Sequence, residues 1–239
     1  MNLNLTDKII IVTEGAKGIG EGIVHALAAE GAIPVIIGRS GADNLKVVDA
    51  IKAKGLKVDH IIAELSRPEE CEKAVKEVTE RYGRIDGLIN NADINDGVRL
   101  ESGDHESFMA SLHKNVVHYY LMAQHTLPAL KISKGVILNI IQKTSGTGQG
   151  NVSGDTASNG APNALTREWA VELLKYDIRV NAVVITEPGI SPAENEPAIS
   201  PDNRIITIEE IANAVVFLLS ERSSHTTGQL IHVGGGSVG

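Results

Sequence analysis

Thr13-Glu14-Gly15-Ala16-Lys17-Gly18-Ile19-Gly20 follows directly on the apolar run Ile9-Ile10-Ile11-Val12. A β-rich run, then three glycines, then an amphipathic stretch from Gly18 to Glu30 is a strand–turn–helix. Glycines let such a turn close tightly and let its backbone approach a pyrophosphate at the helix N-terminus, where free N–H groups and the helix dipole favour an anion. The pattern alone is weak evidence; its position after the first strand strengthens it.

The same alternation continues along the chain. Strands are expected at Ile9–Thr13, Ile33–Gly38, Val58–Ile62, Gly87–Asn90, Gly135–Ile141, Ile178–Ile185 and Leu230–Val233. Helical patterns fall at Gly18–Glu30, near Asn44–Ala53, and at Pro68–Tyr82, His105–Leu130, Ala161–Lys175 and Ile208–Leu219. Continuous apolar strands spaced by amphipathic helices specify a parallel sheet covered on both faces. The expected architecture is therefore a doubly wound, Rossmann-like α/β fold of about seven strands, formed as one domain over residues 1–239, with its ligand site beyond the carboxyl ends of the strands. The segment Thr186–Arg204 has four prolines and no helical period, and reads as a surface loop placed where a cleft lid would lie.

The bulk numbers narrow the function. A chain of 239 residues with 42% apolar composition suits a well-buried core. A net charge of -8 argues against a nucleic-acid partner, which needs a basic face. No apolar run approaches the ~20 residues of a membrane span, and no signal segment is evident, so a soluble cytoplasmic protein is expected. The single cysteine, Cys71, allows no internal disulfide and reads as a helix-face thiol. His118 and His125 would share a helix face but have no partner at ligand spacing, so no metal site is expected.

The glycine-rich turn resembles the TGxxxGxG turn of the short-chain dehydrogenase/reductase family. Asn90-Asn91-Ala92-Asp93 is similar to that family's NNAG motif, and Asn115 falls at its catalytic asparagine. Arg179-Val180-Asn181-Ala182-Val183 and Thr227-Gly228-Gln229 resemble later family segments. Gly148-Gln149-Gly150-Asn151 and Leu165-Thr166-Arg167-Glu168-Trp169 look like the L-fucose dehydrogenase-type branch, which oxidises a sugar hydroxyl with NAD or NADP. The resemblance covers nearly the whole chain. It implies a nicotinamide cofactor held by Glu14, Gly15, Lys17, Gly18, Ile19, Gly20, Arg39, Asn91 and Asp93, with Arg39 placed for an NADP 2′-phosphate. It also implies a sugar-like ligand, and a homodimer or homotetramer paired through the two long helices, with Tyr119, Tyr120, Met122 and Trp169 on that face.

The departures from the family gather on the functional side. Glu14 and Asp93 replace glycines, and Gln142 stands where the resemblance puts the catalytic serine. Asp155 and Asn159 stand where it puts the catalytic tyrosine and lysine. No tyrosine lies between Tyr120 and Tyr176, so misalignment does not explain the loss. Of the catalytic positions Asn115, Gln142, Asp155 and Asn159, only Asn115 matches. Losing a general acid/base costs ~10²–10⁴ in rate. Glu14 and Asp93 each oppose a pyrophosphate by about 3 kcal/mol at ~5 Å and an effective dielectric of ~20, less where wet, so weakened or lost cofactor binding is expected. Pro162 reads as a first-turn proline, with Ser158 or Asn159 as cap, which would leave Asp155 in a non-helical, solvated turn. Three readings stay open. The first is a dehydrogenase scaffold with its activity lost, as a natural pseudoenzyme or an engineered variant. The second is a repurposed non-redox site using Asp155, and the third a working NAD(P)-dependent oxidoreductase with a substitute proton donor.

Overall fold

The computed structural model describes residues 2–94, 96–143, 146, 150–185 and 206–234. The strands are β1 (Ile9–Thr13), β2 (Ile33–Gly38), β3 (Asp59–Ile62), β4 (Gly87–Asn90), β5 (Val136–Gln142), β6 (Arg179–Ile185) and β7 (Leu230–Val233). They form one parallel sheet in the order β3-β2-β1-β4-β5-β6-β7. The helices are α1 (Gly18–Ala29), α2 (Gly41–Lys52), α3 (Pro68–Tyr82), α4 (His105–Leu112), α5 (His118–Ser133), α6 (Ser153–Glu172) and α7 (Ile208–Leu219). The chain order reverses between β1 and β4, and in a doubly wound sheet that reversal opens the ligand crevice.

The continuous apolar strands follow from burial on both faces. Ile10 and Val12 point into a core shared with Ile23 and Leu27 of α1, Val47 and Ile51 of α2, and Ile211 and Val215 of α7. Ile9 and Ile11 point to the opposite core, with Cys71 and Val75 of α3, Met122 of α5 and Trp169 of α6. Burial pushes the Cys71 thiol up to about 11, so it stays protonated and inert. Among the described residues no helix is long and apolar enough to cross a membrane.

Arg179 joins the sheet to α7. Its guanidinium donates to the carbonyls of Leu218, Leu219 and Ser220 and to Ser223 Oγ, so it satisfies the orphan end of that helix.

Three expectations need correction. First, α6 begins at Ser153 and runs through Pro162 to Glu172, so the turn carrying Asp155 is helical and Pro162 is an interior proline. Gly154, Asp155, Ser158, Asn159, Pro162, Thr166 and Trp169 are all buried at three- and four-residue spacing. This inward stripe is mostly polar, so hydrophobic periodicity does not reveal it, and tertiary packing outweighs the local break. Secondly, Asp155 is not a solvated turn carboxylate: it is 3% exposed. Thirdly, Tyr119, Met122 and Trp169 belong to the core, and of the four residues assigned to a subunit face only Tyr120 is exposed. The Thr186–Arg204 segment lies outside the described residues.

A proline in a helix interior is ~3 kcal/mol less favourable than alanine, and part of this is offset by its restriction of the unfolded chain. Pro162→Ala is therefore expected to stabilise the protein by about 1–2 kcal/mol, read as a raised urea midpoint with an unchanged slope.

Candidate functional site

A cleft of about 270 Å³ opens at the carboxyl ends of the strands, lined by Glu14, Lys17, Ile19, Gly20, Arg39, Asn91, Asp93 and Gln142 among others. Seven of the nine residues expected to hold a cofactor thus meet in one place. Gly15 and Gly18 shape the turn without lining the cleft. A Cβ at position 20 would lie 2.4 Å from the Glu14 carbonyl oxygen, so only glycine fits there. Lys17, the N-cap of α1, supplies no side-chain cap. Among the described residues the first turn of α1 has no side-chain cap where it meets the cleft, an arrangement suited to a phosphate.

The floor of the cleft is fixed by Thr13. Its Oγ1 accepts from the N–H groups of Asn91 (2.8 Å) and Ala92 (3.1 Å), while Asn91 Nδ2 donates to the Thr13 carbonyl at 3.0 Å. These bonds lock the ends of β1 and β4 on either side of the reversal.

Glu14 is the strained point of the turn. Its φ is +49°, the left-handed region that favours glycine. Nor does its carboxyl simply point to solvent. It lines the cleft and its pKa is raised, first by burial and further by Glu64, while Arg39 and Lys17 oppose the rise. Those two cations are already engaged: Lys17 Nζ lies 2.7 Å from Asp43, and Arg39 lies 3.9 Å from Glu64.

Asp93, Asp155 and Asn159 form one unit. Asn159 Nδ2 donates to Asp155 Oδ1 and to the Asp155 carbonyl, each at 3.1 Å, and reaches Asp93 Oδ2 at 3.4 Å. Asn159 Oδ1 accepts the Gln142 N–H at 2.8 Å. One carboxamide thus ties α6 to the end of β5 and to the loop after β4. Asp93 is pushed up to about 6, first by burial and then by the neighbouring Asp155 charge; the Asn159 and Ile94 hydrogen bonds oppose the rise and Glu14 adds to it.

Asn115 sits in a π-helical turn, His113–Val117, between α4 and α5. Its Oδ1 accepts from Ile94 N–H and its Nδ2 donates to Ile94 O, both at 2.8 Å, so it positions the loop that carries Asp93. Four residues of this site therefore reach the cleft or its wall from elements far apart in sequence. Asn115, Asp155 and Asn159 stand behind the lining rather than in it.

Sequence reading missed Ser40, Asp43 and Asn44, which line the β2 side of the cleft. Ser40 caps α2 by accepting from Asp43 N–H, so α2 starts at Gly41 rather than near Asn44. The Ser-x-x-Asp spacing was the available signal. Ile140 and Ile185, also in the lining, carry no signal beyond their strands. Among the described residues no group of three or more His, Cys, Asp or Glu is disposed to hold a metal. His118 is buried, hydrogen-bonded to Ala92 O at 3.1 Å, and lowered to about 4 by burial.

A family profile described as enoyl-(acyl carrier protein) reductase matches residues 15–237. The chain belongs to the short-chain dehydrogenase/reductase family. It is 32% identical to the 3-oxoacyl-[acyl-carrier-protein] reductase FabG of Thermotoga maritima, over 99% of this chain and 100% of that protein. It is 29% identical to the L-fucose dehydrogenase of Bos taurus, over 100% of this chain and 93% of that one. Among solved structures, the Cj0485 dehydrogenase superposes with a TM-score of 0.90 at 38% identity, covering 99% and 96% of the two chains. Members of this family use NAD or NADP.

The raised pKa of Asp93 sets a pH dependence. An acid raised in the folded state stabilises that state below its ordinary pKa, and the contribution is lost as pH rises through about 6. Asp93→Asn keeps the shape without the charge. It is expected to stabilise the protein by about 2 kcal/mol at pH 8 and by little at pH 4, read from urea denaturation at both pH values. Glu14→Gly is expected to add about 1–2 kcal/mol at pH 8 by relieving the left-handed backbone, measured the same way.

Proposed function

We propose that this chain is a short-chain dehydrogenase-fold protein that keeps its family's dinucleotide cleft but has lost, or nearly lost, oxidoreductase activity. It would then be a natural pseudoenzyme or an engineered scaffold, with cofactor binding weakened by Glu14 and Asp93. The observation that carries this reading is the Asp155–Asn159 contact. The two positions that the family resemblance assigns to a phenol and an ammonium hold a buried carboxylate and a carboxamide bonded to each other. A phenol exchanging a proton with substrate needs a nearby cation to lower its pKa. Tyr119 does not replace it: it is 2% exposed, donates to Ile140 O at 2.7 Å, and is raised well above its ordinary pKa, first by burial. Gln142 ends β5 where a serine hydroxyl would hold the substrate oxygen.

The reading in which Asp155 runs a different chemistry is weakened by its burial outside the cleft lining. A working oxidoreductase acting on a sugar hydroxyl is favoured by one feature: Asp93 lines the cleft and titrates near pH 6, as a substitute proton carrier would.

Steady-state assays with NAD and NADP against L-fucose, other sugars and simple secondary alcohols separate these readings. The expected outcome is turnover at least ~10²-fold below the ordinary enzyme range of about 1–10³ s⁻¹. Combining Gln142→Ser, Asp155→Tyr and Asn159→Lys is expected to raise it. Unmodified protein turning over within that range would overturn the proposal, and loss of that turnover in Asp93→Asn would establish the substitute donor.

We also propose a homodimer or homotetramer paired through α5 and α6. Tyr120 on α5 and Val171 on α6 are exposed apolar residues that suit such a face. Sedimentation velocity is expected to show a dimer or tetramer, and a monomer at micromolar concentration would contradict it.

A further inference from the structure

We propose that this cleft binds the oxidised nicotinamide dinucleotide in preference to the reduced one, with Asp93 as the residue that sets the preference. The inference rests on the dinucleotide reading given above.

Reduction converts a cationic pyridinium into a neutral dihydropyridine, so the reduced dinucleotide is one charge more negative than the oxidised one. The protein groups around the ring decide which form is favoured. In a doubly wound sheet the two mononucleotide halves lie on either side of the strand reversal, here between β1 and β4. Arg39, Ser40, Asp43 and Asn44 line the cleft on the β2 side, where an arginine just past the second strand suits the adenosine ribose. The nicotinamide half therefore falls to the other side, lined by Asp93, Ile140, Gln142 and Ile185. Its ionisable lining group is Asp93, with Asp155 behind it and Glu14 across the turn.

Among the described residues, several elements bring groups to Asp93. From α6 come the Asp155 carboxylate and the neutral Asn159 amide. From the β1–α1 turn comes Glu14. From α5, His118 bonds the neighbouring Ala92 carbonyl and is neutral above about pH 4, while Tyr119 keeps its proton. None of these groups supplies a positive charge at neutral pH. The cations of the lining, Lys17 and Arg39, pair with Asp43 and Glu64 instead. A pyridinium offers Asp93 a counter-charge; a dihydropyridine does not. A single charge at contact-to-medium range in an environment of intermediate dielectric gives a preference of about tenfold.

The preference has a pH signature. As pH falls through about 6, Asp93 takes up a proton and one of the negative charges disappears. The ratio of affinities therefore shrinks towards one at pH 5.

Isothermal titration of the intact protein with NADP⁺ and NADPH, and with NAD⁺ and NADH, at pH 8 and pH 5 tests this without relying on turnover. The expected result is about tenfold tighter binding of the oxidised form at pH 8, a smaller ratio at pH 5, and loss of the ratio at pH 8 in Asp93→Asn. A tenfold ratio corresponds to a two-electron potential about 30 mV lower for the bound couple. Equal affinities at pH 8, or tighter binding of the reduced form, would overturn the inference while leaving the dinucleotide reading intact. A preference that survives unchanged at pH 5 and in Asp93→Asn would remove Asp93 from it. No heat from any of the four at millimolar concentration would overturn the dinucleotide reading and this inference together. The pH comparison on unmodified protein stands even where the variant fails to fold.

Discussion

The Asn159 carboxamide holds the functional end of this molecule together. Its oxygen accepts from the backbone of β5, and its nitrogen donates to Asp155 in the turn below and reaches Asp93 on the loop after β4. Three elements distant in sequence meet at this one side chain, which is 4% exposed. A buried polar group is costly unless its hydrogen-bonding capacity is met. That constraint fixes the rotation of α6 and directs Asp155 inward. It also places a carboxylate next to Asp93, which adds to the effect of burial in pushing the Asp93 pKa up to about 6.

The cleft is consequently a composite. Its glycine-rich turn, its uncapped helix end and the Thr13–Asn91 lock are suited to a pyrophosphate. Its other half is carboxylate-rich and has no phenol or ammonium at the positions the family resemblance marks for proton transfer. In the proposed reading, fold and activity separate along a physical line. The framework depends on apolar burial and backbone geometry, which the substitutions leave untouched, whereas proton transfer depends on a few groups in one place.

The fold was legible in the sequence to a high degree. Seven apolar runs became seven strands in register, because a two-faced parallel sheet demands continuous burial. Much of the cleft lining was legible too, since Glu14, Lys17, Arg39, Asn91 and Asp93 follow from their places after β1, β2 and β4. Helix α6 was less so. Pro162 marks a local break and the inward face is mostly polar, so neither propensity nor periodicity announces a helix beginning at Ser153. The start of α2 was misplaced for a related reason, a cap at Ser40 that hydropathy does not register.

The sequence by itself determined the strand order class, the glycine-rich turn after β1 and the absence of the tyrosine, lysine and serine from their expected positions. These depend on local pattern and residue identity alone. Only the tertiary structure decided that Asp155 is buried, that Asn159 bridges it to Asp93, and that Asn115 braces the loop through Ile94. Those facts depend on which groups from distant segments share one low-dielectric volume, and no spacing along the chain encodes that.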